Sequence, residues 1–148
     1  PTPTPTETAS PTPTRVRPSA TPTESPPTPT PLPTVPPPSL EKPESGTPYG
    51  GANAKIQLLW RGSHTLDSNE FYEVTLRYTH EGAEVPLKVR VQGVSWMVDE
   101  MLYGQADQET QGVHHWSVRL VRRATDAEGN EGYIPISPAS EEWLFYWR

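Results

Sequence analysis

The first 38 residues constrain this chain most, because about three quarters of them are Pro, Thr or Ser. Their order, which begins PTPTPTETAS, has no apolar periodicity and few aliphatic side chains. Such a segment cannot bury enough apolar surface to offset its chain entropy, so it forms no core. Proline fixes φ near the polyproline II value and restricts the residue before it. We therefore predict an extended stalk over residues 1–38 and a folded domain over residues 39–148.

The stalk is also dense in hydroxyl groups, a composition typical of O-glycosylated, mucin-like segments. It predicts covalent O-glycans and an extracellular or cell-surface location, whereas an unmodified spacer is the alternative interpretation. The candidate attachment sites are Thr2, Thr4, Thr6, Thr12, Thr14, Thr21, Thr23, Thr28 and Thr30.

Composition excludes several classes of protein. The chain has no cysteine, which removes disulfides, thiolate catalysis and cysteine-ligated metals. Two arginines and two glutamates cancel within the stalk, so the formal net charge of −6 falls on residues 39–148. Without a run of basic residues we predict no nucleic-acid partner. No apolar stretch approaches the ~18 residues of a membrane span, so we predict no span in this chain.

Residues 39–148 carry short segments in which apolar and polar side chains alternate. Ile56, Leu58 and Trp60 share one face of the segment Lys55–Trp60. The same period-two pattern occurs over Phe71–His80, Leu87–Val94, His114–Arg123 and Trp143–Trp147. The turn-rich segments RGSHTLDSN, EGAEV and TDAEGNEGYIPISPAS separate these strands, and one short helical turn is expected over Asp99–Tyr103. This pattern predicts an all-β fold, an antiparallel sandwich of about seven strands.

Four motifs occur in an order and at spacings that resemble a known family. They are IQLLW over 56–60, FYEVTLRY over 71–78, HHWSVRLVR over 114–122 and SPASEEWLFYW over 137–147. In this order the domain resembles the fibronectin type III-like (immunoglobulin-like) β-sandwiches of bacterial surface and secreted proteins, in which these motifs match strands two, three, six and seven. The first strand, ending in a turn, is matched by Pro38, Leu40, Pro43 and Gly46. The resemblance implies binding, spacing or adhesion, and no catalysis.

The chain departs from that family at two places. His114 stands where the sixth strand usually carries a tyrosine, two residues before Trp116. The corner hydrogen bond of these sandwiches is then absent or made by imidazole. The first strand, Ser39–Pro43, is poor in apolar residues, so it is either a weak edge or is replaced by another segment.

The polar residues form no recognisable catalytic motif. His114 and His115 are adjacent on a strand, so their side chains point to opposite faces and cannot share a metal. The acidic segment TDAEGNE, residues 125–131, is read as a hairpin turn, with calcium as the alternative. No serine has a nucleophile-elbow context. We predict no enzymatic activity, no cofactor and no metal.

The aromatic side chains divide into a core set and an outward set. Trp60, Trp116 and Phe145 are predicted to lie in the core. Tyr49, Tyr133 and Tyr146 fall at outward or loop positions and are the candidate residues for a ligand or an interface.

These features lead to one preferred function and two alternatives. The preferred function is a non-enzymatic extracellular subunit of a glycosylated surface appendage or filament, which self-associates through the stalk or a sheet edge. The first alternative is a stalk-displayed adhesion module that binds carbohydrate or protein. The second is an accessory module of a larger secreted protein.

Overall fold

The computed structural model describes residues 1–6, 8–11, 14, 16, 18 and 35–148. The chain divides into two units, Pro1–Thr30 and Pro31–Arg148. The described residues of the first unit are exposed and belong to no strand or helix. Over the described ranges, no helix combines the length and the apolar character needed to cross a bilayer.

Nine strands and two short 3-10 helices make up the described part of the second unit. The strands are β1 (Ser39–Lys42), β2 (Thr47–Tyr49), β3 (Gln57–Arg61), β4 (Glu70–His80), β5 (Ala83–Val91), β6 (Ser95–Met97), β7 (Val113–Thr125), β8 (Glu131–Pro135) and β9 (Trp143–Trp147). The 3-10 helices are Glu100–Leu102, in the predicted helical turn, and Gln108–Thr110. The all-β prediction is confirmed, with β2, β6 and β8 added to the predicted strands.

The strands form two sheets that pack as a sandwich. The smaller sheet has the order β1-β3-β6, and the larger has the order β2-β9-β7-β4-β5, with β8 also paired to β7. Every pair is antiparallel except β2 with β9. The apolar-poor first strand does pair: Leu40 lies opposite Trp60 at the edge of the smaller sheet, and both are buried.

The core follows from the alternation of side chains along each strand. Ile56, Leu58 and Trp60 are all buried on the inner face of the smaller sheet, as predicted. Trp116 and Phe145 are fully buried on the facing side of the larger sheet. The sandwich is closed by one further group of buried side chains: Tyr72, Val74, Leu76, Val118, Leu120 and Trp147.

β5 begins earlier than predicted, because the hairpin that joins it to β4 has a very short turn. Only Glu81 and Gly82 form the turn, with φ of 50° and 77°. Two consecutive residues with positive φ give a turn whose twist matches that of the flanking strands. Pairing therefore resumes at once, with Ala83 opposite His80, four residues before the predicted start at Leu87.

The prediction of a loop after β7 is wrong for residues Glu131–Pro135. These residues form β8, which pairs with the last five residues of β7. Strand pairing is then interrupted until β9, because Pro138 has no N–H to donate. Two serine hydroxyls take over as acceptors in this gap. Ser137 Oγ accepts from the N–H of Leu120 at 2.8 Å, and Ser140 Oγ accepts from that of Val118 at 2.9 Å.

Removing the hydroxyl at Ser137 should destabilise the domain, because the buried N–H of Leu120 would lose its acceptor. We expect Ser137→Ala to lower the free energy of unfolding by about 1–3 kcal/mol. Urea unfolding measures this difference. The matched control is Ser63→Ala, at an exposed position, which should stay within about 0.5 kcal/mol of wild type. Equal stability of the two variants would contradict the role of Ser137.

Candidate functional site

The three tyrosines predicted to face a ligand lie in different environments. Tyr49 is half-buried on β2 and meets Phe145 edge to face at 6.0 Å, and burial raises the pKa of its hydroxyl. Tyr146 is half-buried on β9, opposite Pro48 of β2. Tyr49 and Tyr146 therefore lie on adjacent strands and opposite faces, and neither lies beside Tyr133.

Tyr133 belongs to an exposed aromatic and cationic cluster on the outer face of the larger sheet. Its side chain is 37 % exposed. The guanidinium carbon of Arg90 lies 3.9 Å from the centre of its ring, a cation–π contact. Phe71 meets the same ring edge to face at 5.9 Å. These contacts hold the Tyr133 ring in one position on the sheet surface.

A buried carboxylate organises the centre of this face. Glu73 is 1 % exposed and lies directly between Arg90 of β5 and Arg119 of β7 in the strand register. Its Oε2 accepts from Arg90 Nε at 3.0 Å and lies 2.9 Å from Nη2. Its Oε1 accepts from Arg119 Nε at 2.9 Å and lies 2.7 Å from Nη2. Both guanidinium groups are thus fixed by one anchor.

Two more cations complete the cluster, which we call the arginine face: Lys88, Arg90, Arg119, Arg123 and Tyr133. Lys88 Nζ lies 4.0 Å from Glu73 Oε1, and Arg123 is exposed opposite Tyr133 on β8. Three cations therefore lie around one carboxylate, and Arg123 extends the positive charge further along β7. The neighbouring row of the same face carries two hydroxyl side chains, Thr75 and Ser117, which lie opposite each other.

Carboxylates border the arginine face at both ends of the strands. At one end Arg77 is paired with Glu84 and Glu142. At the other end Glu131 lies on the outer face opposite Thr125, two residues before Tyr133. The positive charge therefore forms a diagonal strip from Lys88 on β5 to Arg123 on β7, between these carboxylates.

Sequence reasoning missed this cluster because its members come from three separated segments. No window of the chain contains a basic run, and only the register of β5, β4 and β7 brings the cations together. The available signal was the alternation of cations at Lys88 and Arg90, and at Arg119 and Arg123, on strands flanking one that carries Glu73. The expectation of no nucleic-acid partner stays a prediction.

A second buried carboxylate lies at the end of the larger sheet. Glu70 accepts hydrogen bonds from Arg122 at 2.8 Å, His64 at 2.7 Å and the N–H of Asp67 at 3.1 Å. The Arg122 bond is the main cause that lowers the pKa of Glu70 to about 2, against the opposing effect of burial. A group with so low a pKa is ionised at neutral pH and is poorly matched to acid–base catalysis. We assign it to closing the loop before β4.

The histidine pair behaves as the strand geometry requires. His114 is buried, stacked on Phe145 at 5.0 Å, and its Nδ1 donates to the carbonyl of Gly112 at 2.9 Å. Burial lowers the pKa of His114 and keeps it neutral. His115 lies on the outer face, with Nδ1 at 3.3 Å from Glu142. The two rings point to opposite faces, as predicted.

The acidic segment after β7 is a hairpin turn, as predicted. The carboxylate of Asp126 accepts from the backbone N–H groups of Glu128 and Asn130, at 3.0 and 2.8 Å. These bonds lower the pKa of Asp126, with that from Asn130 the main cause. Within the described ranges, no three His, Asp or Glu side chains are placed to hold a metal ion.

The stalk threonines fall into two groups. Thr2, Thr4, Thr6 and Thr14 are described and exposed. The remaining candidates lie outside the described residues: Thr12, Thr21, Thr23, Thr28 and Thr30. The exposed hydroxyls of the first group meet the steric requirement for modification, and O-glycosylation stays a prediction.

Comparison of the chain with protein-family models, curated proteins and solved structures finds no match.

The Glu70 cluster predicts how stability changes in acid. Because the pKa of Glu70 is lowered on folding, its contribution is present above about pH 4.5 and is lost as the pH falls towards about 2. Glu70→Gln should reduce stability at neutral pH and flatten the decline between these values, as measured by urea unfolding across this range. The control Glu44→Gln, at an exposed position, should keep the wild-type slope. An unchanged slope in Glu70→Gln would contradict this role.

Proposed function

We propose that this protein is a non-enzymatic extracellular adhesion module, in which an O-glycosylated stalk presents a β-sandwich that binds its ligand through the arginine face. The observation that carries the proposal is the preorganised pair Arg90 and Arg119, held by the buried Glu73 beside the exposed Tyr133. Binding surfaces are enriched in arginine and tyrosine, and their energy is concentrated in few, well-positioned side chains.

The position of this cluster favours non-covalent binding. Its side chains and their anchor Glu73 stand on four hydrogen-bonded strands, β5, β4, β7 and β8, so the backbone that carries them is rigid. Sites built on strands hold their side chains more accurately than sites on loops. An open sheet surface suits an extended polymer or a protein better than a small molecule, which is usually held in a concave pocket.

The stalk and the strand order support the extracellular part of the proposal. A segment rich in Pro and Thr is a stiff spacer, and glycans on its hydroxyls would keep it extended. The order β1-β3-β6 against β9-β7-β4-β5 supports the resemblance to fibronectin type III-like sandwiches of bacterial surface proteins. His114 donates to a carbonyl two residues upstream, so imidazole takes the part of the corner tyrosine.

A filament subunit is the second candidate, and the free edge of β8 favours it. All five residues of β8 are exposed, and one edge pairs with β7. The opposite edge has no partner strand among the described residues, and Ile134 is 56 % exposed. In an extended PTPTPT segment every threonine N–H faces one edge and every proline faces the other. The threonine side of such a segment can pair with a free sheet edge. Its proline side has no N–H groups, so no further strand can pair there and the sheet does not grow.

The arginine face should be required for attachment to the surface material of the producing cells. In a sedimentation assay with that material, the full chain carrying Lys88→Gln and Arg123→Gln should bind at least about tenfold more weakly than wild type. These two substitutions leave the arginines that anchor Glu73 in place. The control carries Lys42→Gln and Arg61→Gln, the same change of charge on the smaller sheet, and should bind as wild type does. Equal binding by both variants would reject the arginine face.

Electron microscopy of the secreted full chain separates the two candidates. Single particles are expected for the adhesion module. Regular filaments that disappear when residues 1–34 are deleted would establish the second candidate and the strand addition on which it depends.

A further inference from the structure

We infer that the arginine face binds acidic polysaccharides, and that the sugar chain follows the diagonal row of cations from Lys88 on β5 to Arg123 on β7. This inference rests on the proposed function and specifies its ligand. It is carried by the donors that Glu73 leaves unused, by the charges at the two ends of the face and by the packing of Tyr133.

Each anchored arginine keeps donors for a second anion. Arg90 and Arg119 approach Glu73 with Nε and Nη2 only. Among the described residues, no acceptor bonds to Nη1 of either side chain. A guanidinium group donates several N–H bonds in one plane and binds carboxylate or sulfate with two of them. The buried Glu73 thus fixes the orientation of two anion-binding groups before a ligand arrives.

The spacing of these groups suits a polymer with repeated charges. Arg90 and Arg119 lie directly opposite Glu73 on the two strands that flank β4. Neighbouring strands are about 4.8 Å apart, so the two backbones are roughly 10 Å apart across the sheet. Lys88 lies two residues from Arg90 along β5, and Arg123 lies four residues from Arg119 along β7 towards the other end of the sheet, so the positive strip runs diagonally. An acidic sugar chain can therefore place successive anionic groups on it.

The direction of the chain follows from the carboxylates that border the strip. Glu84 and Glu142 lie at one end of the strands, and Glu131 lies at the other. A polyanion that followed the strands would meet these like charges. A polyanion on the diagonal from Lys88 to Arg123 stays between these carboxylates and meets the four cations and the buried Glu73, whose charge the arginines already neutralise.

The aromatic packing favours a sugar over a nucleic acid. Bases of single-stranded nucleic acids stack on open aromatic faces. One face of Tyr133 is covered by Arg90 at 3.9 Å, and Phe71 packs its edge against the same ring. The exposed part of Tyr133 and the hydroxyls of Thr75 and Ser117 instead match the hydroxyl groups of a sugar ring.

Binding of the full chain to immobilised polygalacturonate and dextran sulfate, with neutral dextran as the uncharged reference, tests this ligand class. We expect the two acidic polymers to bind, and binding to weaken as NaCl rises from about 50 mM to about 500 mM. Lys88→Gln with Arg123→Gln should weaken binding at least about tenfold, and Lys42→Gln with Arg61→Gln should not. Arg119→Lys, which keeps the charge and loses the planar donors, should weaken it severalfold. Thermal unfolding of each variant checks that it is folded.

The outcomes separate the ligand class from the proposed function. Equal binding to dextran, or no binding to either acidic polymer, would overturn the ligand class. The proposed function would survive that result if the variant with Lys88→Gln and Arg123→Gln still fails to bind cell-surface material, because the arginine face would then bind another ligand. Binding to single-stranded DNA without binding to the acidic polymers would assign the face to nucleic acids instead.

The path of the chain has its own test. On the diagonal path, Lys88→Gln and Arg123→Gln made singly should each weaken binding to polygalacturonate by about two- to fivefold, because the chain contacts both ends of the strip. Wild-type affinity in either single variant would overturn the diagonal path.

Discussion

The buried carboxylate of Glu73 determines what the outer face of the larger sheet can do. A buried ion pair adds little stability compared with well-packed apolar residues of the same volume, because desolvation offsets most of the attraction. Its effect here is positional: one side chain on the central strand fixes the guanidinium groups of Arg90 and Arg119 on both neighbours. Without it, two long cationic side chains would sample many rotamers, and binding would carry the entropy of ordering them.

The interruption between β8 and β9 has a second effect on the same face. Because Ser137 and Ser140 replace backbone acceptors, the chain leaves and rejoins β7 without leaving the N–H groups of Leu120 and Val118 unpaired. This allows β8 to pair with the far half of β7, beyond the end of β9, where the smaller sheet does not cover it. Tyr133 is carried there, within reach of Arg90 from the opposite edge of the sheet.

The sequence was informative wherever one face of a strand is buried. Alternation predicted β9 with its observed ends, and the burial of Trp60, Trp116 and Phe145. It failed at β8, because this strand is exposed on both faces and so carries no alternation. The prolines at 135 and 138 also made this segment resemble a loop. It also failed for the arginine face, because cross-strand register is not encoded in any single segment. Glu73 could be assigned to the outer face, but its burial depends on arginines from two other strands.

The charge distribution adds selectivity to this arrangement. The formal net charge is −6, so most of the domain surface repels a polyanion. Charges on a protein surface are screened over about 8 Å at physiological ionic strength, so the positive strip attracts only at short range. An acidic polymer is therefore repelled by other parts of the domain and attracted where Lys88, Arg90, Arg119 and Arg123 lie together. A uniformly basic domain of the same size would bind such a polymer in many orientations, whereas this one favours a single face.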